Sequence, residues 1–150
     1  MAERTGDLEG PEDPCSPKER AKMDAFRVVI NPRRAVGAII VRPRNFCECG
    51  ATGNYHLWVF VTDRGSCRLI LDTDMVQDFG FLKARTNGYR DLVLWAHDSA
   101  DRSPARLLQF DGKQYHEVCA WEEDYEFREL PDGRWVSTGD PKIVSNSCGP

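Results

Sequence analysis

The feature that most constrains this chain is a series of glycine turns, each set between apolar, β-branched or aromatic segments. Asn87-Gly88 separates FGFLKAR from YRDLVLWA, and Asp111-Gly112 separates ARLLQF from KQYHEVCAW. Asn-Gly and Asp-Gly accept the positive φ angles of a tight hairpin turn, whose twist matches that of its strands. The same grammar recurs at Asp63-Arg64-Gly65-Ser66, between His56 to Thr62 and Cys67 to Asp72, and at Pro131-Asp132-Gly133, between Glu122 to Leu130 and Arg134 to Thr138. Each turn predicts two adjacent antiparallel strands. In Asp91 to Ala96 both faces are largely apolar, which predicts a strand buried on both sides. The polar loop from His97 is expected to run to Pro104, which cannot donate to a ladder.

The N-terminal third adds less regular signals. Ser16-Pro17-Lys18-Glu19 reads as a helix start, with a Ser N-cap, Pro in the first turn and Glu three residues on. A short helix is expected from Pro17 to about Phe26, which Arg27 to Ile30 either extend or leave to begin a strand. Val36 to Val41 reads as a strand closed by Arg42-Pro43, and Asp72 to Asp78 as one helical turn. The fold class expected is therefore mainly β: an antiparallel meander of hairpins forming a sandwich or partial barrel, with a short N-terminal helix. Residues 1–14 are expected as a disordered acidic tail, 15–140 as a single domain and 141–150 as a flexible C-terminal tail.

Six cysteines are dispersed through the chain: Cys15, Cys47, Cys49, Cys67, Cys119 and Cys148. An even, scattered set points to disulfides and an oxidising compartment. At least two bonds are expected, with Cys67 and Cys119, both on predicted strands, as participants. The N-terminus has no apolar core of a signal peptide, so the chain is either cytosolic or a mature form whose leader has been removed. A periplasmic or secreted location is the expectation. No stretch approaches the length of a membrane helix. The formal net charge of −4 argues against general nucleic-acid binding. A basic stretch, Arg27, Arg33, Arg34, Arg42 and Arg44, reads as a solvated face.

RTNGYRDLVLWAHDSA followed by LLQFDGKQYHEVCAW resembles a recurrent pattern in secreted or periplasmic bacterial proteins of uncharacterised function. In them a Gly-Tyr-x-Asp-Leu strand leads through a small-polar loop to a Phe-Asp-Gly-Lys-x-Tyr hairpin. CGATGNYHLWVF, at Cys49 to Phe60, is similar to the same group. A fainter likeness is to FG-GAP-type propeller repeats, too few of which are present to close a propeller. The resemblance implies an extracytoplasmic location and names no activity.

Candidate chemistry is sparse. His97-Asp98-Ser99 has triad residue types, but a triad needs a spatial arrangement and Ser99 lies in no Gly-x-Ser-x-Gly elbow. Cys47-x-Cys49 with His56 lacks a second ligand pair, and Asp72-Thr73-Asp74 with Asp78 lacks the glycine and distal glutamate of a calcium loop. No metal and no cofactor are expected. Trp58, Trp95, Trp121 and Trp135 are expected mainly in the core, at least one of them partly exposed. The expected function is a non-catalytic extracytoplasmic module that binds, and in some cases inhibits, an extracellular protein or a glycan. Its contact residues would be His97, Asp98, Ser99, Asp101 and Arg102, with Asn54 and Tyr55, because binding residues concentrate on loops held by a rigid sheet. Two alternatives stay open: a hydrolase using the His97 loop or the acidic run from Glu122 to Glu129, and a cytosolic interaction protein with reduced thiols.

Overall fold

The computed structural model of the chain describes residues 15–44 and 52–149. β1 (Met23–Asn31), β2 (Val36–Pro43), β3 (Tyr55–Asp63) and β4 (Ser66–Val76) form one antiparallel sheet in chain order. β5 (Asp78–Thr86), β6 (Tyr89–Trp95), β7 (Arg102–Phe110) and β8 (Tyr115–Asp124) form a second. β9 (Phe127–Glu129) and β10 (Trp135–Ser137) make a separate hairpin, and β11 (Lys142–Asn146) returns to pair with β8. The protein is thus mainly β, built of antiparallel hairpins, and no sheet closes into a barrel among the described residues.

The core follows from period-two patterning. On β3, Tyr55, Leu57, Val59 and Val61 are buried while the residues between them are half-buried. Val36, Ala38 and Ile40 of β2 join them, as do Leu92, Leu94, Leu108, Phe110 and Tyr115 of the second sheet. The two sheets therefore share one apolar cluster, in which each large side chain contributes about 1.5–3 kcal/mol by burial. β6 is buried on both faces, as its apolar run predicts: Leu92 and Leu94 enter the cluster, and Val93 is buried outside it. The neighbouring Asp91 is buried too, and its carboxylate accepts from Thr86 Oγ1 at 2.8 Å and Gln109 Nε2 at 3.1 Å.

All four predicted turns join antiparallel neighbours. At Arg64-Gly65 and Asn87-Gly88 both central residues have positive φ (47° and 81°, 51° and 83°), the geometry a two-residue hairpin loop requires. Asp111 builds its turn differently, its carboxylate accepting the N–H groups of Lys113 at 2.7 Å and Gln114 at 2.9 Å.

Several expectations need correction. The helix is a single turn, α1 (Pro17–Arg20), and Phe26 lies on β1 opposite Ile40, where the β-branched run Val28-Val29-Ile30 favours a strand. Asp72 to Val76 continue β4, with a bulge instead of a helical turn: Met75 has φ 55°, and Arg106 Nη2 holds the Asp74 carbonyl at 2.9 Å. Pro104 lies inside β7, not beyond it. Its carbonyl accepts the Ala96 N–H at 2.8 Å, and Ser103 Oγ donates to the Ala96 carbonyl at 2.7 Å in place of the N–H that proline lacks. Residues 142–146, expected in a loose tail, form β11.

Among the thiols, Cys119 is bonded as expected and Cys67 is not. Cys119 is bonded to Cys148, and Cys15 is disulfide-bonded, but Cys67 is free and exposed. Being on a strand does not bring a cysteine a partner: Cys67 opposes Thr62 near the tip of the β3–β4 hairpin. The expectations for residues 1–14, Cys47 and Cys49 lie outside the described residues.

Candidate functional site

β6 and β7 are connected by a short loop that Ser99 and Arg102 close by pairing their backbones, at 3.3 and 3.4 Å. Ser99 Oγ donates to Asp101 Oδ1 at 2.8 Å, and this bond holds the Asp101 carboxyl below its ordinary range. Arg102 Nε meets Asp124 Oδ1 at 3.1 Å, which keeps the guanidinium firmly charged. The Asp98 backbone N–H reaches the Arg102 carbonyl at 3.4 Å, and its side chain is exposed.

Asn54, just before β3, is the buried support of this loop. Its side-chain nitrogen donates to the His97 carbonyl at 2.8 Å, and its oxygen accepts the His97 N–H at 2.7 Å. The two segments singled out in the sequence are thus joined, but through a hidden side chain. Tyr55, by contrast, is turned inward. It is part of the core, and its hydroxyl accepts from Arg42 Nη1 at 3.1 Å.

The His97 imidazole bonds through Nε2 to the Ser99 carbonyl at 3.1 Å, which places the ring proton on Nε2. Its Nδ1 is enclosed and has no partner among the described residues. The Ser99 hydroxyl is turned to Asp101, so imidazole and hydroxyl are not bonded as nucleophilic catalysis would need. Within the acidic run, Glu126 forms an ion pair with Lys142 and Asp124 pairs with Arg102. Glu123 is only 8% exposed and accepts from Trp121 Nε1 at 2.7 Å, Tyr125 Oη at 2.8 Å and Trp95 Nε1 at 3.2 Å. Burial, then the bond to Glu123, raises the Tyr125 phenol above its usual range.

The sequence predicts the β9–β10 hairpin but not its position beside this loop. Phe127, with His97, Ser99, Arg102 and Tyr125, lines a cavity of about 210 Å³. Phe127, Trp135, Ala100 and Asp101 border a second of about 440 Å³, and the shared Ala100 and Phe127 make the two one groove. Phe127 is 41% and Trp135 65% exposed. The available signal was a pair of aromatic residues, Phe127 and Trp135, on strands of only three residues each, too short to bury both rings.

Among the described residues no group of three or more His, Cys, Asp or Glu side chains is placed to hold a metal ion. His56 instead pairs with Asp72 and stacks near Trp58, with ring centroids 4.4 Å apart. No protein-family model, curated protein or solved structure matches this chain.

Proposed function

We propose that the chain is a non-catalytic extracytoplasmic binding module, a two-sheet sandwich that takes a short glycan in the groove between the His97 loop and the β9–β10 hairpin. The observation that carries this reading is the pair of exposed aromatic rings, Phe127 and Trp135, facing a loop with a charged Asp101 and the polar groups of His97 and Ser99. A sugar offers an apolar C–H face to an aromatic ring and hydroxyls to a carboxylate, and the groove supplies both. The Cys119–Cys148 bond supports an oxidising location, and no helix among the described residues is long and apolar enough to cross a membrane.

The test is capture on an immobilised panel of neutral and acidic oligosaccharides, followed by calorimetry on any that bind. Trp135→Ala and Asp101→Asn are expected to weaken capture at least tenfold, with the thermal midpoint nearly unchanged because both residues are at the surface. Capture that survives both substitutions would exclude the groove. If no glycan is captured at all, the glycan reading fails.

A further inference from the structure

The end of the molecule opposite the groove is built from four hairpin tips. The register places the β1–β2 loop beside the β3–β4 turn, since Gly37 pairs with Thr62. Asn87 Nδ2 reaches the Phe110 carbonyl at 2.7 Å, joining the β5–β6 and β7–β8 turns. The two sheets meet here as well: a Cβ on Gly88 would lie 3.1 Å from Asn31 Nδ2, and Arg68 bonds to the Lys113 carbonyl.

These tips carry Arg33, Arg34, Arg64, Arg68, Arg85 and Lys113, all exposed. None forms an ion pair with a carboxylate among the described residues. Against these six stand the acidic Asp63 and Asp111, and the Asp111 carboxylate is occupied by two turn N–H groups. The basic stretch read from sequence is divided by the fold. Arg33 and Arg34 go to this end, whereas Arg42 lies over the rings of Phe26 and Tyr55 and Arg44 pairs with Asp24 at the far end. That far end also holds Asp72, Asp74, Asp98, Asp101 and Asp124, interspersed with Arg102 and Arg106. Although the net charge is −4, positive charge is in excess at the hairpin-tip end.

We infer that the basic hairpin end docks on an anionic lipid surface and turns the groove outward. The charges sit on separate loops of both sheets, spread across one end, which matches a plane of negative headgroups. Clusters of this size suffice for such docking, because each basic residue near an anionic surface adds a modest, salt-sensitive attraction. The local excess of unpaired basic residues at the hairpin tips sets which end faces the surface. This inference does not rest on what the groove binds.

The experiment is cosedimentation of the full chain with vesicles of equal parts phosphatidylcholine and phosphatidylglycerol, and with phosphatidylcholine alone. Binding is expected only to the anionic vesicles at about 50 mM salt and is expected to be lost at about 500 mM. R33E/R34E/K113E is expected to weaken it on the order of a hundredfold. K18E/R128E/R134E, with the same change in net charge elsewhere, should retain most of it. Circular dichroism confirms that both variants are folded. The inference is overturned if the chain ignores anionic vesicles, if both variants lose binding equally, or if heparin or duplex DNA is bound more tightly than the vesicles, which would mark a linear polyanion as the partner.

Discussion

Asn54 and His97 hold each other by two hydrogen bonds, one in each direction, across 43 residues of chain. The Asn54 carboxamide presents a donor and an acceptor spaced like those of a peptide group, so a side chain supplies a missing rung between the start of β3 and the loop after β6. Asn54→Ala would leave the His97 N–H and carbonyl without these partners. A loss of about 2–4 kcal/mol is expected, since each enclosed group left unpaired costs about 1–3. Urea unfolding measures it, and a variant as stable as the parent would show that water replaces the amide freely.

Glu123 offers a second test. Its carboxylate collects the N–H groups of two tryptophans and the hydroxyl of a tyrosine. Glu123→Ala is expected to cost about 3 kcal/mol, because several donors lose their acceptor together. Glu123→Gln keeps one acceptor oxygen and should cost less. Because Trp95 and Trp121 are the donors, near-ultraviolet circular dichroism should change in both variants, and an unaltered spectrum would contradict the arrangement.

Tyr115 makes stability fall in alkali. Its hydroxyl donates to the Arg90 carbonyl at 2.6 Å, and burial first, then the nearby Asp91 charge, push the phenol well above its ordinary range. The fold therefore favours the neutral phenol. Its contribution is complete below about pH 10, the ordinary tyrosine value, and is lost as pH rises toward the folded-state value. Tyr115→Phe should cost about 1 kcal/mol at neutral pH and flatten the alkaline decline. Unfolding followed across the alkaline range reads both, and an equally steep decline in the variant would assign it to another group.

The Cys119–Cys148 bond spans 29 residues and fastens β11 to the edge of the second sheet. Cys148→Ser is expected to lower stability by about 3–4 kcal/mol through the freed unfolded chain. Alkylation of native protein followed by peptide mapping should label Cys67 and leave Cys119 and Cys148 untouched until reduction. Labelling of Cys119 without reductant would refute the bond.

The hairpins were legible because glycine at a positive-φ turn and period-two burial are local signals, as at Asn87-Gly88 and along β3. The errors fell where a distant partner overrides local preference. Asp72 to Val76 stay extended because β3 pairs with them, and the stretch around Ile143 becomes a strand because β8 offers a free edge. Pro104 could enter β7 because a neighbouring serine hydroxyl takes over the bond its ring forbids. In the candidate site, the His97 loop was visible as polar residues between strong strands. Its neighbour Trp135 was not, since proximity of the β9–β10 hairpin is set by the path of the chain after β8, which no local pattern encodes.

The order of strands in the two large sheets has a consequence for synthesis. From β1 to β4 and again from β5 to β8, each strand lies beside the one made just before it. A nascent chain can thus zip each new strand onto an edge already present, with short loops to close and few non-local pairings to await. Among the described residues only β8 waits for a late neighbour, and the strand that completes it is made after the β9–β10 hairpin. Until then the β8 edge is open, which makes the interval before β11 arrives the stage at which this chain is most exposed to pairing with another.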